Sequence, residues 1–261
     1  MARRTATASG VILSHLEFDL LWEDLGPGGP PPYPFDVPAH GATHAERDDL
    51  GVRVFAGLAE AGLTDGDDVD PGLADLFVLL GAPALSVDAL VLGEAPWRML
   101  AAVQGTAGVL AVLDERDLVL EPLRATDLVP AVTRMLGEQP PGPGDQLRLP
   151  RAAYSAATDA YAQTGYDAFE RALGAAGITG RAVRPLATLV TAERYAAGQL
   201  AATGPAGRTS VLAWFDTAAG RYAVTPENVG GEPWVMVTPA DDAWFADRIA
   251  RLTDEARPVR S

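Results

Sequence analysis

The sequence predicts an α+β protein with a central antiparallel β-sheet, flanking helices and two halves related by an approximate two-fold axis. The first observation is an internal repeat, in which an apolar run, a turn and a second apolar run occur twice. The copies are residues 109–114 with 118–122 and residues 211–216 with 221–226. Such a pattern predicts a β-hairpin. The second observation is that a helical pattern follows each copy, so we expect two similar units that share one sheet.

Two helix starts can be recognised in the N-terminal half. Thr43 and Glu46 have the spacing of a capping box, where a hydroxyl and a carboxylate each satisfy a free backbone donor, and apolar residues follow at four-residue steps. Asp70 before Pro71 predicts a second helix, because aspartate caps helices and proline fits the first turn. Upstream, residues 11–25 are apolar with interspersed acids and are compatible with a strand or a short helix.

The same order of elements is predicted in both halves of a single domain, 1–261. The first half, residues 11–138, adds strands at 85–92 and 97–103, the hairpin at 109–121 and a helix at 127–136. A stretch rich in proline and glycine predicts a linker at 139–150. The second half, residues 151–256, has predicted helices at 152–176 and 181–190, strands at 192–202, 210–215, 221–224 and 234–238, and a final helix at 240–255.

Composition excludes several classes of function. The net charge of −15 argues against nucleic acid and anionic membrane surfaces, because no basic excess is present to neutralise phosphates. The chain has neither cysteine nor lysine, which removes disulfides, thiol nucleophiles, thiolate zinc sites, Schiff bases and Walker-type phosphate loops. No apolar run approaches the length of a membrane span. We therefore expect a cytoplasmic protein, without membrane insertion, that is a monomer or a weak dimer.

No motif in the chain predicts a catalytic, cofactor-binding or metal-binding residue. His40 and His44 are four residues apart but straddle the predicted helix start, so they do not share a helix face. The acids at 65–70 lack the glutamate that a calcium loop carries at its twelfth position, and they are typical of a solvated turn. No serine lies in a Gly-x-Ser-x-Gly elbow, and the glycine clusters lack the context of a dinucleotide fingerprint.

A binding surface has more support than an active site. Side chains at 211–215 alternate between the two faces of a predicted strand and are apolar on both. Such a sheet needs cover on both faces, either from helices of the same chain or from a partner helix. The candidate partner-binding residues are Trp214, Tyr222 and Trp234, because buried aromatic residues often dominate interface energetics. Each of the three is equally compatible with a place in the core.

An ordered set of short runs along nearly the whole chain resembles the EspG family, the ESX-secretion-associated proteins of actinobacterial type VII secretion. The runs are LEFDLLWE at 16–23, PYPF at 32–35, HGAT at 40–43, ER at 46–47, GL at 62–63, DP at 70–71, FDTAAGR at 215–221 and VTP at 224–226. No single run is diagnostic, and the resemblance rests on their order.

The resemblance implies a cytosolic chaperone without enzymatic activity. Such a protein holds the helical tip of a PPE protein, paired with its PE partner, and keeps it soluble for the secretion machine. It also implies a central antiparallel sheet with helices and a pseudo-two-fold relation between halves. The residues alone leave two other functions open, which are an enzyme (such as a small-molecule hydrolase) with an unrecognised site and an interaction scaffold unrelated to secretion.

Overall fold

The computed structural model describes residues 10–65 and 68–258. The N-terminal half contains β1 (Val11–Ser14), α1 (His15–Leu25), α2 (His44–Glu60), β2 (Thr64–Asp65), β3 (Asp68–Val69), α3 (Pro71–Gly81), β4 (Leu85–Gly93), β5 (Trp97–Gln104), β6 (Ala107–Leu113), β7 (Asp117–Arg124) and α4 (Leu128–Leu136). The C-terminal half contains β8 (Leu147–Pro150), α5 (Arg151–Thr164), α6 (Tyr166–Ala175), α7 (Arg184–Thr191), β9 (Arg194–Gly204), β10 (Gly207–Arg208), β11 (Leu212–Thr217), β12 (Gly220–Val229), β13 (Glu232–Pro239) and α8 (Asp242–Ala256).

Both halves contribute to one large antiparallel sheet, which confirms the predicted α+β class. Its strand order is β1-β7-β6-β5-β4-β9-β11-β12-β13-β8, with β10 paired to β9 beside this path. The halves meet where β4 pairs with β9, from Ser86 opposite Thr203 to Gly93 opposite Ala196. Each half thus supplies five neighbouring strands, and its first strand lies at the outer edge. The short strands β2 and β3 form a separate hairpin.

The two repeated hairpins lie in this sheet but do not occupy matching places. Counted from the outer edge of each half, β7 and β6 are second and third, whereas β12 and β11 are third and fourth. The strands that match β11 and β12 are therefore β5 and β6. Moreover, β13 intervenes between the second hairpin and α8, so the expected helix does not follow that hairpin directly. An origin of the halves by duplication stays a prediction.

The helix caps agree with the sequence in most details. Asp70 caps α3, with the Leu73 amide donating to its Oδ1 at 3.0 Å. Thr43 caps α2, with the Glu46 amide donating to its Oγ1 at 3.2 Å. The carboxylate of Glu46, however, accepts from the amide of Ala42 at 2.7 Å, one residue before the expected donor.

Three predicted segments differ in the structure. Residues 11–25 form both a strand and a helix, because Ser14 ends β1 and caps α1. The long helix at 152–176 divides at Gly165, whose φ of +92° is outside the helical range. The segment at 139–150 ends in β8, which pairs with β13 as an edge strand. Before β8 it packs on β12: the Gly142 amide donates to the Arg221 carbonyl at 3.0 Å.

The helices cover the two faces of the sheet differently. The closed face, which includes Ala89, Met99, Leu200 and Trp214, packs against α4 and α8 across the centre of the sheet. On the opposite face, α1, α2 and α3 cover the N-terminal strands, and α5, α6 and α7 cover the C-terminal strands. These two helical layers bury separate apolar clusters. The strands at the centre of this second face, which we call the open face, lie between them.

Candidate functional site

An uncovered apolar strip runs along the centre of the open face. Its floor consists of alternate residues of β4, β9 and β11: the apolar Leu90, Leu92, Ala197, Ala213 and Phe215, with the exposed Gln199 between Leu90 and Ala213. Leu92 is 66% exposed, and the other four apolar residues are half-buried. Contiguous exposed apolar surface of this kind marks interaction sites in soluble proteins. The strip is therefore the candidate functional site.

The strip is the floor of a groove of about 570 Å³. The groove is lined by His15, Asp36, Leu90, Val91, Leu92, Pro96, Trp97, Arg98, Leu113, Asp114, Glu115, Ala197, Gly198, Gln199, Ala213 and Phe215. With Arg98 of β5 beside the strip, the groove spans from β5 to β11, which is three inter-strand gaps or about 14 Å at the usual strand spacing. An α-helix with its side chains is about 10–12 Å across. The groove is thus wide enough for one helix.

The N-terminal wall of the groove carries acidic groups. At the β6–β7 turn, the Asp114 Oδ1 accepts from the amides of Arg116 and Asp117, both at 2.8 Å. These backbone hydrogen bonds lower the pKa of the Asp114 carboxyl. His15 lies against the same turn, 2.9 Å from its Nε2 to the Asp114 carbonyl. The neighbouring Glu115 is exposed, so this side of the groove presents negative charge.

The loop between α1 and α2 completes the N-terminal wall and is held by Asp19. The Oδ2 of Asp19 accepts from the His40 amide at 2.7 Å and from the Arg47 Nη1 at 3.0 Å. Burial opposes ionisation of Asp19, but these hydrogen bonds outweigh it and lower its pKa. Further along the loop, the Asp36 carbonyl accepts from the Arg98 Nη1 at 3.4 Å.

The C-terminal wall is aromatic and basic. The guanidinium of Arg194 lies 4.7 Å from the ring centroid of Phe215, a cation–π arrangement. Phe215 and Ala213 also pack against the apolar cluster under α5, α6 and α7. Tyr154 of α5 belongs to this cluster, and burial raises the pKa of its hydroxyl. The two walls therefore differ in charge.

Beyond Leu90, three side chains interact on the open face at one end of the strip. Asp88 is the open-face residue of β4 next to Leu90, toward the start of the strand, and it is only 3% exposed. Its carboxylate binds Arg208, with the Nη2 donating to Oδ1 at 2.8 Å and the Nη1 donating to Oδ2. Arg208 in turn lies over the ring of Tyr33, 5.0 Å from its centroid. The other end, at the turn after Leu92, is open.

Two of the three aromatic residues predicted to bind a partner lie in the core. Trp214 is 1% exposed on the closed face, with its ring centroid 6.2 Å from that of Phe245 in an edge contact. Tyr222 is fully buried, and its hydroxyl donates to the Pro143 carbonyl at 2.9 Å. Neither can contact a partner in this fold, so the prediction is corrected for both. The reason is that α8 covers the first and the segment before β8 covers the second.

Trp234 is half-buried and lies on the closed-face side of β13, near the sheet edge and outside the groove. The guanidinium of Arg148 lies 6.0 Å from its ring centroid, and Arg148 Nε donates to Glu227 Oε2 at 2.5 Å. A role of Trp234 in partner binding stays a prediction.

Sequence reasoning missed the residues of the strip itself, although a signal was present. Leu90 and Leu92 share one side of β4 with Asp88. If helices of the chain covered this whole side of the strand, they would have to bury the Asp88 carboxylate as well. Phe215 alternates with Trp214, but nothing in the sequence shows which of the two faces lacks a helix. Gly198 of β9 is a further signal, because a Cβ at this position would lie 2.3 Å from the Trp214 ring. The glycine therefore leaves room for Trp214 on the closed face.

No cluster of three or more histidine, cysteine, aspartate or glutamate residues able to hold a metal ion occurs among the described residues. The acidic turn at 65–70 forms the β2–β3 hairpin, and its Asp67 lies outside the described residues. Within the described ranges no helix is both long and apolar enough to cross a membrane.

Comparison with known proteins decides the family. The family model described as the EspG family matches residues 14–251. The chain belongs to the EspG family. A solved structure with the same fold is that of the Mycobacterium tuberculosis type VII secretion system chaperone EspG5 in complex with the PE25–PPE41 dimer. It superposes with a TM-score of 0.74 at 16% identity, over 97% of this chain and 98% of EspG5. No curated protein matches this EspG-family chain.

Proposed function

We propose that this EspG-family protein is a non-enzymatic cytosolic chaperone of type VII secretion, which binds the helical end of a secreted PE/PPE-like client in the groove. The observation that carries the proposal is the apolar strip on the open face, from Leu92 to Phe215, left uncovered between two helical layers. Because neither helical layer covers this apolar strip, we expect a helix from another protein to cover it.

The dimensions and charges of the groove favour a helix as its occupant. A groove about 14 Å wide accepts one helix of about 10–12 Å, laid with its apolar side on the strip. Acidic groups at Asp114 and Glu115 on one wall and Arg194 on the other offer opposite charges to the two polar flanks of that helix. The structural neighbour was solved with a PE25–PPE41 dimer, which supports a client of the same class.

Non-enzymatic action is part of the same proposal. Several polar groups that line the groove fix its walls, as with His15 on the Asp114 carbonyl and Arg98 on the Asp36 carbonyl. Apart from Gln199, the floor between the walls is aliphatic and aromatic. This arrangement suits the burial of apolar surface, for which a stable complex needs about 800 Å² per partner.

Affinity purification from the native host tests the proposal, with two variants run beside the unmodified protein. Leu92→Asp places a charge on the groove floor, and Val52→Asp is the matched control because Val52 is 74% exposed on α2. We expect a secreted helical-hairpin protein to co-purify with the unmodified chain and the control, and recovery to fall at least tenfold with Leu92→Asp. Recovery of a metabolic enzyme, or equal recovery of one partner by all three proteins, contradicts the proposal.

A further inference from the structure

The open-face residues of β4 change character along the strand. Leu92 is 66% exposed, Leu90 is half-buried, and Asp88 is 3% exposed. A buried carboxylate at the end of an apolar strip costs free energy unless it is paired and hydrogen-bonded. The groove floor therefore stops being apolar after two residues of β4. At about 3.4 Å per residue, these two positions span about 7 Å, which is little more than one turn of a helix.

Arg208 lies over Asp88 because the short strand β10 folds back beside β9. In this hairpin Arg208 lies opposite Thr203, a residue on the open face of β9. Its two terminal nitrogens both donate to Asp88, and its plane lies against the Tyr33 ring from the α1–α2 loop. The three side chains connect the N-terminal layer to the centre of the sheet. A helix that followed the full length of β4 would have to displace all three.

The guanidinium keeps hydrogen-bonding capacity after it has bound Asp88. Arginine has five N–H donors; the Asp88 contacts use one on each terminal nitrogen, and Nη1 also donates to the Thr203 Oγ1 at 3.4 Å. The Nε–H has no acceptor in the described ranges of the chain, and the side chain is 39% exposed. Remaining donors at this end of the strip match the last four carbonyl groups of an α-helix, which lack partners within the helix and carry the negative end of its dipole.

We propose that Asp88, Arg208 and Tyr33 form an end stop, where Arg208 donates hydrogen bonds to the free carbonyls at the C-terminal end of a client helix. The end stop rests on the proposed function of the groove. It selects a helix that ends in a turn, as at the tip of a helical hairpin, over a helix that continues. It also fixes direction, because the client helix runs from Leu92 toward Arg208.

Site-resolved photo-crosslinking tests direction and depth together. Benzoylphenylalanine is placed at Leu92 or at Tyr33, where it keeps an aromatic ring, and crosslinked to the full-length client recovered by affinity purification. We expect the probe at Tyr33 to label the C-terminal end of one client helix and the probe at Leu92 to label residues about two turns earlier in that helix.

The outcomes separate the two proposals. No crosslink from Leu92 contradicts the proposed function itself. If Leu92 does crosslink, three results from the probe at Tyr33 overturn the end stop alone. These are no crosslink, a crosslink to the middle of a client helix, and a crosslink to the start of a client helix.

Matched arginine variants test the hydrogen bonds. We expect Arg208→Met to weaken client binding about tenfold, since bonds to charged groups are the strong ones. Arg148→Met is the control, because Arg148 also pairs with a carboxylate and lies over an aromatic ring, but on the other side of the sheet. We expect its affinity within about twofold of the unmodified protein.

A double variant guards against simple unfolding, because Arg208→Met leaves Asp88 buried without its partner. Asp88→Leu with Arg208→Met replaces the pair by apolar side chains and removes that penalty. We expect this variant to fold, as measured by its thermal midpoint, and still to bind about tenfold more weakly. Binding at the affinity of the unmodified protein overturns the end stop.

Discussion

The two faces of the sheet share the same strands but differ in what covers their centre. On the closed face, α4 and α8 follow the last strand of each half and meet over the middle of the sheet. On the open face, the three helices of each half precede its central strands and pack over the outer part, so two layers stand apart. The groove is therefore a consequence of chain order, since in the described residues each half places its open-face helices before its central strands and only its closed-face helix after its last strand.

The side chain of Arg221 holds the two helices that cover the closed face. Arg221 of β12 is 1% exposed and binds Asp216 through Nε at 2.5 Å and through Nη2 at 3.0 Å. Its Nη2 also donates to the Leu136 carbonyl at 2.6 Å, at the end of α4. Its guanidinium lies 5.3 Å from the centroid of Phe245 in α8. One side chain thus holds both covering helices to the sheet.

Loss of the Arg221 side chain should give the largest change in stability. Arg221→Met leaves Asp216 buried without its partner and frees the carbonyls at the end of α4, so we expect unfolding free energy to fall by about 3–5 kcal/mol. Urea unfolding measures it. Arg251→Met, an exposed arginine on α8, is the control and should change stability by less than about 0.5 kcal/mol. Equal effects of the two variants would show that Arg221 does not anchor the helices.

Adjacent aromatic residues on β11 compare the two faces directly. Trp214→Ala empties a fully buried site on the closed face and should cost about 3–5 kcal/mol in urea unfolding. Phe215→Ala removes a half-exposed ring from the open face and should cost about 1–2 kcal/mol, while it weakens client binding. A larger loss of stability for Phe215→Ala than for Trp214→Ala would reverse the assignment of the faces.

A pair of charge substitutions locates the binding face. We expect Leu92→Asp to weaken client binding at least tenfold with a nearly unchanged thermal midpoint, because Leu92 is already 66% exposed. Trp234→Asp makes the same kind of change on the other side of the sheet. Loss of binding with Trp234→Asp alone, measured by calorimetry with the purified client, would move the interface to the edge near β13.

The smallest expected effect is the pH dependence of folding stability, in which the two walls of the groove should differ. Asp19 and Asp114 on the N-terminal wall both have a lowered pKa in the folded protein, whereas the C-terminal wall relies on Arg194. A carboxyl with a lowered pKa stabilises the fold above its unfolded value of 3.8 and loses that contribution as the pH falls through the folded value. Stability should therefore decline below about pH 4.

The variant Asp19→Asn isolates this contribution. It cannot ionise, so stability measured by urea unfolding should be lower near neutral pH and should decline less on acidification than in the unmodified protein. Asp75→Asn, at an exposed aspartate of α3, is the control. A curve for Asp19→Asn parallel to that of the unmodified protein would show that the Asp19 network does not stabilise the wall.

The sequence allowed the class of fold and most elements to be predicted, because caps and alternation are local. Asp70 before Pro71 and the alternation along β11 depend only on near neighbours. It did not allow the placement of Trp214 and Tyr222 in the core, since both faces of their strands are apolar and the covering elements come from distant segments. The ion pair between buried Asp88 and exposed Arg208 joins residues 120 positions apart, which no local pattern signals.

A structure of the protein bound to its proposed client tests the central claim most directly. We expect one client helix on the open face, with its apolar side on Leu90, Leu92 and Phe215 and with its flanks between the two helical layers. A client seated on the closed-face side, beside Trp234, or on the outer surface of either helical layer with the strip still exposed would contradict it.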